Sequence, residues 1–204
     1  MEQKNGLHFP LYKICISGAA DTSFCGDDAC KIAEDLGREI ALRKMVLVDG
    51  ATTGFPFWAA KGAKEAGGIV VGISPASSQK EHLERYKLPV EYHDLIIYTG
   101  SGYSGRNLLL TRSADAVIVG CGRMGTVNEF TIAFEDKKPI GILEGSWETD
   151  ELVKSILEKS HRAQEHPYVA FDPDPKKLLD KVFGFMEKIK NNGYTDLAPD
   201  NLDG

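Results

Sequence analysis

The run Ala116-Val117-Ile118-Val119 is apolar at successive positions, so neither face of an extended segment there could be left in water. Short β-branched runs of the same kind recur at Tyr12 to Ser17, Val46 to Val48, Ile69 to Ile73, Leu95 to Tyr98, Ile140 to Leu143 and Tyr168 to Phe171. Together they make about seven candidate strands. Between them, residues repeat at helical spacing: Ile32, Leu36 and Ile40; Leu152, Ile156 and Lys159; Leu178, Val182, Met186 and Ile189. The first and last of these sets form a usable apolar stripe. This alternation predicts an α/β chain, a Rossmann-like doubly wound and mostly parallel sheet with helices on both faces. In such a sheet ligands gather where the strand order reverses, on the rim formed by the C-terminal strand ends. The loops that leave the strands are therefore the ones to read for function.

The chain has 204 residues, which predicts a single domain over residues 1–190. Residues 191–204 form an acidic tail rich in Gly, Pro and Asn, expected to hold little fixed structure. The least regular piece is 76–93, where Lys80 to Tyr86 reads as a polar helical turn before Pro89. A net charge of -6 removes counterion release as a general source of affinity, so neither nucleic acid nor an anionic membrane is expected as a partner. No stretch approaches the roughly 20 apolar residues of a membrane span, and a cytoplasmic location is expected. Cysteines stand at 15, 25, 30 and 121, with no C-x-x-C pair and no histidine cluster beside them. The expectation is no metal and no disulfide framework, with Cys15 as a small buried residue. Cys25 and Cys30 flank a helix start, where a redox role stays open.

The strongest local signal is Gly120-Cys121-Gly122-Arg123-Met124-Gly125-Thr126, which follows a buried strand and opens a helix over 127–135. Its glycines would let the N–H groups of Gly122, Arg123, Met124, Gly125 and Thr126 approach an anion at a helix N-terminus. The stretch is literally G-x-G-x-x-G, and Glu144 ends the next strand, which admits a dinucleotide reading, although the motif sits on a late strand. Glu129, placed in the first turn of that helix, would repel a pyrophosphate and suits a sugar or base better. Its alternative is simply to complement the helix dipole.

Thr99-Gly100-Ser101-Gly102-Tyr103-Ser104-Gly105-Arg106 is a second glycine-rich exit, with Arg106 at a helix start where a cation gains nothing from the macrodipole. Arg106 would then bind phosphate or pair with a carboxylate, or else be an ordinary solvated arginine. Ser17-Gly18-Ala19-Ala20 and Gly50-Ala51-Thr52-Thr53-Gly54 are small, hydroxyl-rich exits as well. They nominate Gly18, Ala19, Gly50, Thr52 and Thr53 as further binding residues, with ordinary turn chemistry as the bland reading. Trp58 either stacks on a base or belongs to the core.

Taken in order, Arg106, Asp115-Ala116, Gly122, Gly125-Thr126 and Glu129 resemble the Lonely Guy (LOG) family, whose pattern is Arg-Lys, Asp-Ala and Pro-Gly-Gly-x-Gly-Thr-x-x-Glu. The likeness extends through the Gly50 exit and Lys61 to Pro75, and covers roughly residues 12 to 190. Its relatives were long labelled possible lysine decarboxylases, and molybdenum-cofactor carriers share the likeness. No residue pattern here argues for pyridoxal phosphate.

The resemblance implies a phosphoribohydrolase that cleaves nucleoside 5′-monophosphates to base and ribose 5-phosphate, with Arg106 and Glu129 catalytic. It also implies no cofactor, a small-molecule nucleotide as partner, and a homodimer or higher homo-oligomer. The alternative is a non-catalytic nucleotide or molybdenum-cofactor carrier. Three departures stand out: Cys121 replaces the family's proline, Arg123 its second glycine, and Asn107 its lysine. Arg123 either supplies a phosphate contact or fills the phosphate pocket.

Overall fold

The computed structural model describes residues 11–192. The elements alternate as expected: β1 (Lys13–Ser17), α1 (Ala29–Leu42), β2 (Val46–Asp49), α2 (Phe55–Glu65), β3 (Ile69–Ser74), α3 (Gln79–Glu84), β4 (Leu95–Tyr98) and α4 (Gly102–Ser113). They continue with β5 (Ala116–Val119), α5 (Met124–Glu135), β6 (Ile140–Leu143), α6 (Thr149–Lys159), β7 (Val169–Asp172) and α7 (Pro175–Asn192). Every strand anticipated from the apolar runs is present, with ends displaced by a residue at most. The polar turn at 80–86 is α3, capped by Ser78: its hydroxyl accepts from Glu81 N at 3.2 Å, while the Glu81 carboxylate accepts from Ser77 N at 2.7 Å and from the Ser77 hydroxyl at 2.5 Å. Those Ser77 hydrogen bonds, with Arg85, hold the Glu81 carboxyl down at about 2.

The strands form one parallel sheet in the order β4-β3-β2-β1-β5-β6-β7. The order reverses between β1 and β5, so the loops leaving those two strands flank the crevice where such sheets bind ligands. One face of the sheet carries Ile14, Ile16, Leu47 and Ile118 against Leu36, Phe55, Leu178 and Val182, which places α1, α2 and α7 there. The opposite face carries Cys15, Val48, Val117 and Ile142 against Leu110, Phe130, Phe134 and Val153, from α4, α5 and α6. Burial on both faces is what the consecutive apolar runs demanded. α1 and α2 cross in backbone contact: a Cβ at Gly37 would lie 1.8 Å from the Ala59 carbonyl oxygen, and one at Gly62 would lie 2.0 Å from that of Glu34.

Three expectations need correction. Cys25 and Cys121 are joined by a disulfide, although a framework was not expected. Parallel pairing of β1 with β5 brings their exit loops together, so two cysteines 96 residues apart meet without any local spacing signal. α5 begins at Met124 instead of residue 127, which moves Glu129 into its second turn, away from the exposed N–H groups. Arg106 likewise lies in the second turn of α4 and not at its start. The set Leu152, Ile156 and Lys159, which offered helical spacing but no usable stripe, is not the buried face of α6: that face carries Val153 and Leu157, with Leu152 exposed.

Among the described residues no helix is long and apolar enough to cross a membrane. The tail expectation for 191–204 falls almost wholly outside the described residues.

Candidate functional site

α4 is the crossover from the edge strand β4 back to the central β5, and it passes over the face that holds Val48 and Cys15. It thereby carries Arg106 above the exit of β2. The arginine is accommodated because position 50 has no side chain: a Cβ there would lie 1.6 Å from Arg106 Nη1. From the far side, α5 delivers Glu129, with Oε1 3.9 Å from Arg106 Nη1. Both side chains are buried, at 7 % and 5 % exposure. Ser17, the last residue of β1, donates its hydroxyl to Glu129 Oε2. The Asn107 carboxamide, oriented to suit its neighbours, donates to Glu129 Oε1 at 2.9 Å and to the Tyr103 carbonyl at 3.0 Å. Arg106 Nε is buried and has no hydrogen-bond partner among the described residues.

Burial is the largest influence on Glu129 and raises its carboxyl above the ordinary carboxylate range, against the opposing pull of Arg106 and of the Ser17 hydrogen bond. Cys15 lies in the same layer, and burial, with Glu129 nearby, pushes its thiol well up. It is an inert core residue, as anticipated.

The glycine-rich segment wraps the N-terminus of α5. No side chain caps the helix at Arg123, and the N–H groups of Met124, Gly125 and Thr126 have no intrahelical acceptor. Gly125 is open, in that a Cβ there would meet nothing within 4 Å, and Met124 is exposed. Gly122 differs. Its N–H donates to Thr149 Oγ1 at 2.7 Å, and a Cβ there would strike the buried Thr126 side chain at 2.3 Å.

Arg123 reaches across to the β1 exit, with Nη2 3.0 Å from Asp21 Oδ2 and its guanidinium 4.2 Å from the centre of the Phe24 ring. Ala19 N donates to the Cys121 carbonyl at 2.7 Å, and Thr53 Oγ1 donates to the Ala20 carbonyl at 2.9 Å. Thr52 is buried beside them. The Phe55 ring is wedged against Gly18 and Gly120, where a Cβ would come within 2.8 Å and 2.4 Å of it. Thus Gly18, Ala19, Gly50, Thr52, Thr53, Arg106, Gly122, Arg123, Met124, Gly125, Thr126 and Glu129 all stand at the C-terminal rim, in two groups. Arg106, Glu129 and Gly50 form a buried cluster, while the other residues line the loops of β1, β2 and β5. Trp58 is half-buried against the core, with Lys61 Nζ 4.8 Å above its ring, and Glu144 is tied to Lys154 at 2.6 Å.

Asp49 and His93 were not anticipated. His93 Nε2 donates to Asp49 Oδ1 at 2.8 Å and its Nδ1 donates to the Glu91 carbonyl at 2.9 Å, so both ring nitrogens face acceptors. Burial opposes the charge on His93, but the Asp49 carboxylate and these hydrogen bonds outweigh it and the imidazole is raised overall. Asp49 Oδ1 also accepts from Ala51 N at 2.8 Å, holding Ala51 in the left-handed region at φ 47°. The β2 exit that receives Arg106 is thus fixed from below. The signal in the sequence was only an acid at a strand end.

An uncharacterized protein of Archaeoglobus fulgidus is 33 % identical over 133 residues, which is 65 % of this chain and 80 % of that protein. The fold is shared with the molybdenum cofactor binding protein of Rippkaea orientalis, at TM-score 0.70 and 24 % identity over 87 % of this chain and 98 % of the other. It is shared too with a Moco carrier protein of Chlamydomonas reinhardtii, at TM-score 0.72 and 24 % identity over 88 % of this chain and 100 % of the other. The family model that matches spans residues 11–178, from the start of β1 into α7, and so takes in every strand and both groups of rim residues. The chain belongs to the SLOG cluster4 family, a LOG-related group.

Proposed function

We propose that the chain is a phosphoribohydrolase that binds nucleoside 5′-monophosphates at the β1–β5 crevice and hydrolyses their N-glycosidic bond. The observation that carries this reading is the convergence of Arg106 and Glu129, from different helices, into one buried pair 3.9 Å apart beside the end of β1. Cleavage passes through an oxocarbenium-like state at the ribose C1′, and a carboxylate in a water-poor site is the group suited to stabilise it. Glu129 fills that role and orients the water that adds to C1′, while the base leaves with a proton. Arg106 holds the geometry and offsets negative charge near the phosphate, which rests on the N–H groups of Met124 to Thr126. Ser17 and Asn107 keep the carboxylate in one orientation.

A second reading, a carrier of a nucleotide or of the molybdenum cofactor, is favoured by Arg123. In this chain it is engaged by Asp21 and Phe24 across the loop where the LOG pattern has glycine. Both readings use the same crevice and differ in whether a bond breaks. Incubation with a panel of nucleoside 5′-monophosphates, followed by chromatography for free base and ribose 5-phosphate, separates them. Base release that Glu129→Gln abolishes supports the hydrolase. Nucleotides that are bound but returned intact overturn it in favour of the carrier.

A further inference from the structure

The Cys25–Cys121 disulfide lies at the crevice itself. Cys25 belongs to the segment between β1 and α1, and Cys121 to the loop between β5 and α5, so the bond spans the point where strand order reverses. Four non-covalent ties run alongside it: the Gly120 N–H on the Ser17 carbonyl, the Ala19 N–H on the Cys121 carbonyl, Arg123 on Asp21, and Phe55 wedged beneath Gly18 and Gly120. A fifth secures the outer end of the β1 segment, where Ser146 Oγ lies 3.1 Å from Asp28 Oδ1. With the bond in place the two loops cannot separate, and Arg106 and Glu129 remain below them almost without exposure.

We propose that Cys25–Cys121 is a reversible thiol–disulfide site that latches the ligand crevice, and that its co-reactant is a dithiol. This rests on the proposal that the crevice is where the ligand binds. One thiolate of the dithiol attacks one cysteine sulfur, breaking the S–S bond and forming a mixed disulfide, and the other cysteine departs as a thiolate that takes up a proton. The second thiol of the dithiol then displaces the bound cysteine, so the reductant leaves as a disulfide and the protein keeps two thiols. Both sulfurs are shut off from solvent, so exchange waits on a local fluctuation that bares one sulfur while the bond still joins the loops. The ties left after reduction are non-covalent and include an exposed ion pair, which holds weakly. Neither cysteine serves another evident purpose. Cys121 stands where the LOG pattern has proline, and there is no metal-ligating group of three or more side chains among the described residues.

The test compares the air-oxidised protein with the same protein reduced by dithiothreitol. Alkylation with mass mapping counts the thiols, hydrogen exchange follows the amides of 120–126, and AMP serves as the binding probe. The latch predicts that Cys25 and Cys121 resist alkylation until reduced, that exchange at 120–126 speeds up about tenfold or more on reduction, and that a Cys25→Ala, Cys121→Ala double variant exchanges fast in both buffers. Free alkylation of both cysteines in the oxidised protein overturns the proposal. So does exchange at 120–126 that is indifferent to reduction, or AMP affinity that is measurable and equal in both states. Should the loops open on reduction while AMP binds neither state, the latch on the loops is upheld and the nucleotide reading is the one that fails.

Discussion

Gly50 and Arg106 occupy complementary space: the guanidinium fills the volume that a side chain at position 50 would take, with Cζ 2.7 Å and Nη1 1.6 Å from the place of its Cβ. The atoms that must yield to a methyl group are the far end of a flexible side chain. Gly50→Ala is therefore expected to leave the melting temperature nearly unchanged while moving the guanidinium away from Glu129. Turnover or ligand affinity should fall roughly 10²-fold, the scale of a misplacement of about 1 Å in a catalytic group. Steady-state assay beside thermal melting checks this, and Arg106→Ala should produce the same defect.

Gly37 and Gly62 present the contrasting case, because the neighbours in the way are carbonyl oxygens of the opposing helix. Backbone cannot rotate aside. Gly37→Ala or Gly62→Ala should push α1 and α2 apart and cost about 1–3 kcal/mol or more, read as a lower denaturant midpoint with unaltered spectra of the folded state.

Glu129→Gln is expected to reduce turnover by roughly 10²–10³-fold, as when a stabilising group at developing charge is removed. Its effect on stability has a definite sign. Burial raises the Glu129 carboxyl in the folded chain, so its protonated form is favoured by folding and that contribution is complete below the ordinary value of 4.5. It is lost as pH rises through the folded value. Melting curves of the wild type against the variant should therefore diverge upward from about pH 4.5, with the variant relatively more stable at the alkaline end.

His93 obeys the same sign for a different reason, since the Asp49 carboxylate favours its charged form in the folded state. Stability from this pair is full below the ordinary value of 6.5 and drains away as pH rises through the raised folded value. Asp49→Asn should flatten the stability profile above pH 6.5, and the His93 ring protons followed by NMR should titrate at a lower pH than in the wild type.

How far the sequence revealed these features depended on whether the information was local. Strands announce themselves through consecutive apolar residues, and Ala116 to Val119 could hardly be anything else. The rim loops were visible because glycine and hydroxyl residues cluster where strands end. Glu129 and Arg106 could be singled out by type, but their depth could not. A shift of three residues in where α5 starts carries Glu129 from the solvent-facing first turn to the buried second. Cys25 with Cys121, Asp49 with His93, and Ser17 with Glu129 were illegible as pairs for a common reason. The two partners come from different strand–crossover units, and only sheet order decides which units meet.

That order also dictates when the site can exist. β1 is flanked by β2 and β5, and the Lys13 N–H that starts it donates to Asp115 Oδ2 across 102 residues of chain. During synthesis β1 can pair with β2 early, but its other edge stays bare until β5 emerges, and a bare strand edge invites pairing with another chain. Ser17 waits on that edge for a glutamate that is made later still. The nascent N-terminal half is thus the aggregation-prone stage of this protein's life, and closure of β1 against β5 both ends that exposure and assembles the site.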